Sequence, residues 1–145
     1  MEHALIRSSA LFKNATDDDL AALVAIAEPL GLRAGETLWE ADHQPDAMYI
    51  VEIGTVELRL KGQEAPVATF GSLQSFGTLA FFYPTARGTT ARAREETRLV
   101  RIPYGKLKSV LSKRPTFAAQ VYLDTATFLA KHVGDLVRER DRPYF

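Results

Sequence analysis

Two periods of hydrophobic spacing divide the chain, a helical one toward both ends and a strand-like one between them. Leu20, Leu23, Val24 and Ala27 fall on one helix face behind Thr16, whose hydroxyl can take a free amide, while Asp17, Asp18 and Asp19 complement the helix dipole. The pattern predicts a helix from there to about Glu28, ended by Pro29 and Gly31. Beyond it the period shortens. Residues 36–40, 48–52, 55–61, 67–70, 89–93 and 98–102 are short segments, most of them separated by turn residues. Val56, Leu58 and Leu60 alternate with Thr55, Glu57 and Arg59, the pattern of a strand with one buried and one wet face. Gly54 marks a tight turn between two such strands. The fold class predicted is mainly β with flanking helices, an antiparallel, jelly-roll-like arrangement and not a parallel sheet.

After Pro103 the helical period returns. Leu107, Val110 and Leu111 form an apolar stripe, Lys113 and Arg114 suit a last turn, and Pro115 breaks that helix and can start the next. The longest element is a final helix over residues 115–140. On it Tyr122, Ala126, Leu129, Val133 and Leu136 alternate four and three residues apart, the seam of a short coiled coil. A stripe packed on its own domain demands the same spacing, so seam and lid both stay open. With no linker, low-complexity tract or repeat in view, one domain over residues 1–145 is expected, its strands at about 31–103 and its C-terminal helices at about 104–140.

Composition narrows the function classes. A chain of 145 residues buries roughly 68–70% of its unfolded surface without a staple. The absence of cysteine excludes disulfides and thiolate metal sites and fits a reducing compartment, with the cytoplasm as the default. Lys plus Arg and Asp plus Glu balance at 18 each, so no overall field favours nucleic acid or an anionic membrane surface. The N-terminus carries an early acid and a histidine in place of a basic head and long apolar core, so neither a signal peptide nor a membrane span is expected. A charged ligand has to be held locally.

Residues 75–93, SFGTLAFFYPTARGTTARA, offer such a place. Gly77 allows close approach of backbone to a ligand, the turn beginning at Leu79 and Ala80 presents free amides, and Arg87 supplies a guanidinium; phosphate is the natural anion. Each residue also has a plainer role. Arg87 can be a solvated loop residue, Gly77 a turn residue, and Phe81, Phe82 and Tyr83 core packing in place of a stacking platform.

Taken together these pieces resemble the cyclic-nucleotide-binding domain family, the sensor module of catabolite-activator-type regulators, cyclic-nucleotide-dependent kinases and gated channels. The likeness runs from Leu11-Phe12 through RAGETLW at residues 33–39, AMYIVEIGTVEL at 47–58 and the cradle to the paired C-terminal helices, with Gly35, Gly54 and Gly77 at the family's turn positions. It implies a β-roll with N-terminal helices and two C-terminal helices, and a phosphate-binding cassette over residues 76–90. By resemblance the site is Phe76, Gly77, Thr78, Leu79, Ala80, Arg87, Gly88 and Thr89: the glycine and the amides of Leu79 and Ala80 face the cyclic phosphate, Arg87 pairs with its exocyclic oxygen, and Gly88 and Thr89 complete the cage. Thr78 departs from the family, which usually has a glutamate there to accept the ribose 2′-hydroxyl. Losing a charged acceptor costs about 1.5–3 kcal/mol, or about ten to over a hundredfold in affinity. A threonine after the arginine, linked with cyclic GMP preference, is also absent, since Gly88 stands there.

Catalysis is not expected. His3, His43 and His132 are scattered, and no GxSxG, P-loop, HExxH or CxxC occurs, so neither a metal nor a cofactor is anticipated. Direct DNA contact is not expected either, because the likeness stops before the helix-turn-helix domain of activator-type regulators and net charge is zero. The expectation is a cytoplasmic regulatory sensor for cAMP, cGMP or a related anion, homodimeric through its last helix and acting on an unknown downstream protein. The alternative is a fold that no longer binds nucleotide and serves as a protein-interaction scaffold. An open pocket separates the two, since Phe81 or Tyr83 folded into it would favour the scaffold.

Overall fold

The computed structural model of the chain describes residues 2–85 and 88–139. Helices α1 (Glu2–Arg7) and α2 (Asp17–Val24) form an N-terminal layer. Thr16 and Asp19 start α2 reciprocally: the Asp19 amide donates to Thr16 Oγ1 at 3.1 Å and the Thr16 amide to Asp19 Oδ2 at 3.0 Å. The helix stops at Val24, short of the predicted Glu28. Pro29 and Gly31 do not end a helix; they lie inside strand β1 (Glu28–Leu32), which pairs only with one neighbour. Proline is tolerated there because an edge strand does not need every N–H for a ladder. The sheet region therefore begins at Glu28, before the predicted residue 31.

The strands that follow are β2 (Thr37–Trp39), β3 (Ala47–Ile53), β4 (Val56–Leu60), β5 (Ala68–Phe70), β6 (Ser75–Phe76), β7 (Thr89–Ala93) and β8 (Thr97–Pro103). Between β6 and β7 lies the four-residue helix α3 (Leu79–Phe82), and after β8 come α4 (Tyr104–Lys113) and α5 (Pro115–Glu139). All strand pairs are antiparallel, in two four-stranded sheets of order β1-β8-β3-β6 and β2-β7-β4-β5. This is the antiparallel β-roll with N-terminal helices and two C-terminal helices that the hydrophobic pattern and the resemblance predicted.

β3 is apolar on both sides for a structural reason. Met48 and Ile50 pack with Phe12, Leu20, Ile102 and Leu107 in a core between the first sheet and the helices. Ala47, Tyr49 and Val51 point the other way, into a second core between the sheets with Trp39, Val56, Phe76 and Leu99. The reversal into β4 needs Gly54, whose φ is +104° and where an added Cβ would lie 2.4 Å from Thr97 Oγ1. Arg114 ties the helical layers together, its Nε donating to Asp19 at 2.9 Å.

One expectation about β4 is corrected. The alternation along the strand places Glu57 on a wet face, yet its side chain is only 7% exposed. Its carboxylate holds two guanidiniums, Arg59 at 2.7 Å and Arg94 at 2.6 Å, which cover it while satisfying it. The hydrogen bonds from Arg59 and then Arg94 hold the Glu57 carboxyl below the usual glutamate range. A carboxylate with a lowered folded pKa stabilises the fold above its unfolded pKa, and that contribution is lost as pH falls through the folded value. Urea denaturation is expected to show stability dropping on acidification below about pH 4, and Glu57→Gln is expected to flatten that drop. An unchanged acid limb in the variant would remove Glu57 as its source.

Candidate ligand-binding site

The site is built where β6 ends. Phe76 is buried, stacked on Tyr49 at 5.5 Å and Phe70 at 5.0 Å and tilted against Trp39 at 5.7 Å, which anchors the end of the strand in the roll. The chain then turns at Gly77, φ +77°, a conformation that suits glycine. Thr78 caps the backbone of α3 without a side-chain cap bond. The first bond of this turn runs from the Phe81 amide to the Thr78 carbonyl at 3.1 Å, so the amides of Leu79 and Ala80 precede any helical partner.

Phe76, Gly77, Thr78, Leu79, Ala80, Gly88 and Thr89 all line one open cavity of about 600 Å³. Arg87, the remaining predicted site residue, lies outside the described residues. The cavity floor is Trp39, Leu58 and Phe70, and α5 closes one side with Phe128, Leu129 and His132. Trp39 fixes the start of β7 as well, its indole N–H donating to the Thr89 carbonyl at 2.7 Å. Thr78 and the start of α3 thus face an apolar chamber. Among the described lining residues no Asp, Glu, Lys or Arg occurs.

A larger cavity of about 700 Å³ opens between β1, β2 and the loop after Trp39. Its chemistry does not suit an anion. Arg101 is already held by Glu28 at 2.7 Å and Asp46 at 3.0 Å, and Glu36 and Asp42 add negative charge to the walls.

The aromatic run after the cradle divides its work. Phe81 packs on the helical core and against Tyr104 at 5.6 Å, Phe82 meets Tyr122 of α5 at 6.2 Å, and Tyr83 lies at the cavity with 77% of its surface exposed. Core packing therefore describes Phe81, while Tyr83 does not fill the chamber. Sequence reasoning missed Tyr104, whose hydroxyl donates to the Gly77 carbonyl. Holding that carbonyl from the α4 side fixes the peptide plane, so the following amide, that of Thr78, must point away from Tyr104. Only its place at the start of a helical period marked Tyr104 in the sequence, and spacing gave no link to Gly77.

Residues 30–114, more than half of the chain, match the sequence profile of the cyclic nucleotide-binding domain. The chain belongs to that family. It is 27% identical over 124 residues to a CRP-like cAMP-activated global transcriptional regulator of Mycobacterium tuberculosis, covering 83% of this chain and 55% of the regulator. The domain thus spans about half the length of that relative. A lysophospholipase of Pyricularia oryzae, NTE1, is 30% identical over 111 residues, which cover 74% of this chain and 7% of the lysophospholipase. Among solved structures, the N-terminal domain of a transcriptional regulator from Streptomyces coelicolor A3(2) superposes with a TM-score of 0.82 and 29% identity, over 91% of this chain and 94% of that one. Two of these relatives are thus transcriptional regulators, and a similar stretch also occurs within a lysophospholipase.

Tyr104→Phe isolates the hydroxyl, since the ring contact with Phe81 is kept. The variant is expected to lose about 0.5–1.5 kcal/mol in urea denaturation. Amide exchange at residues 78–80 is expected to speed up while β3 and β8 stay protected. Unchanged exchange in the cassette would show that the Tyr104 bond does not hold it.

Proposed function

We propose that this domain is a non-enzymatic sensor that binds a cyclic nucleotide, cAMP or cGMP, in the cavity under α5 and signals through α4 and α5. The observation that carries the reading is the convergence of residues 76–80 with Gly88 and Thr89 on one open chamber of about 600 Å³. The phosphate sits at the start of α3, where amides ahead of the first helical bond supply donors without a side-chain charge. Arg87 supplies the counter-charge; in the sequence it stands between Thr85 and Gly88, both on the cavity wall. Occupancy orders Gly77, and the Tyr104 bond with the Phe81 and Phe82 ring contacts carries that order to α4 and α5.

The domain acts as a homodimer through α5. Beyond Thr125 no described α5 residue whose exposure is known is buried, and Tyr122, Leu129, Val133 and Leu136 are each 36% exposed or more. Residues 126–139 extend about 20 Å with that apolar stripe open to water, a face that a second copy would cover. Leu129 also lines the cavity, so one stripe serves as lid and seam together. The cytoplasm suits a cysteine-free chain in which, among the described residues, no helix is long and apolar enough to cross a membrane. The downstream partner is a protein outside this chain.

Calorimetric titration with cAMP and cGMP tests the site. Arg87→Ala is expected to weaken binding about ten- to a hundredfold, and equal heats for both proteins would remove Arg87 from it. No heat with either nucleotide would favour the scaffold reading, to which Thr78 and the lack of a carboxylate among the described wall residues point. Sedimentation is expected to give a dimer at tens of micromolar, and a monomer there would exclude the α5 seam.

A further inference from the structure

The chamber under α5 is chemically one-sided. Trp39, Leu58, Phe70, Phe76, Leu79 and Leu129 make an apolar wall. Two of the polar groups that reach it are already engaged inside the protein: the Trp39 N–H donates to the Thr89 carbonyl at 2.7 Å, and the Ser75 hydroxyl to Ser9 Oγ at 3.2 Å. No Asp, Glu, Asn or Gln occurs among the described lining residues. What remains are the hydroxyls of Thr78, Tyr83, Thr85 and Thr89 and the imidazole of His132, which lies parallel to Phe128 on α5. Thr78 adjoins Gly77, and its hydroxyl is not used to cap α3.

This wall decides what can be recognised beyond the phosphate. A ligand hydroxyl that donates to a neutral oxygen exchanges one such bond with water for another, whereas a carboxylate acceptor makes the exchange strongly favourable. An apolar body, by contrast, gains with every contact it makes on such a wall. We propose that the site recognises the phosphate and the apolar body of its nucleotide and does not read the sugar 2′-hydroxyl. Cyclic 2′-deoxyribonucleotides therefore belong to its ligand class beside the ribonucleotides. This rests on the cyclic-nucleotide reading above, and the two can fail separately.

The test is isothermal titration of the full chain with cAMP and with 2′-deoxy-cAMP. The two dissociation constants are expected to differ by less than about tenfold. A preference for the ribonucleotide of about tenfold or more would overturn the inference and leave the cyclic-nucleotide reading intact. Heat from neither compound would overturn both. Thr78→Glu places a charged acceptor at the start of α3 and is expected to create a ribonucleotide preference of at least about tenfold. An unchanged ratio in a variant that still binds would overturn the placement of the sugar hydroxyl beside position 78. The wild-type ratio decides the main claim whether or not the variant folds.

Discussion

Burial of β3 on both faces is the constraint on which the rest of this structure depends. Met48 and Ile50 must be covered by helices, and Ala47, Tyr49 and Val51 by a second sheet. A single layer cannot do both. The N-terminal helices, α4 and the first part of α5 supply one cover, and β2, β4 and β7 supply the other. The position of each helix relative to the roll follows from that demand, since the helical core forms directly on Met48, Ile50, Val100 and Ile102.

The site sits where this two-sided packing ends. β6 is only two residues long, and it pairs at the edge of the first sheet through Tyr49 and Ile50 of β3. Its Phe76 is fixed in the inter-sheet core by Trp39, Tyr49 and Phe70. One residue later the backbone leaves the core at Gly77 and is caught from the helical side by Tyr104. The backbone at Gly77 is thus clamped between the two cores. Charge is equally local. The chain as a whole is neutral, acids gather around Arg101 at the other cavity, and the chamber beside α3 is left without any described carboxylate.

Periodicity predicted the strands well where a strand has a contrast between its faces or a run of apolar residues, as in 89–93 and in β3. It failed where local signals have two meanings. Pro29 and Gly31 read as a helix stop, but the demand of β8 for an edge partner drew them into β1. Glu57 read as a wet position, and only the approach of Arg59 and of Arg94 on the neighbouring strand shows why it is buried. Ser75 and Phe76 are too short a run to carry a period at all.

By itself the sequence determined the mainly β class, the flanking helices, the turn glycines and the stretch from Ser75 to Ala93 as the candidate cradle. These are local properties, set by side-chain period, by the backbone freedom of glycine and by residue chemistry along a short segment. The tertiary structure decided that Leu58, Phe70, Phe128 and His132 share a chamber with that cradle, that Tyr104 holds Gly77, and that α5 is lid and exposed stripe at once. Most of those are contacts between residues tens of positions apart, and their geometry is fixed only when the two cores on either side of β3 pack together.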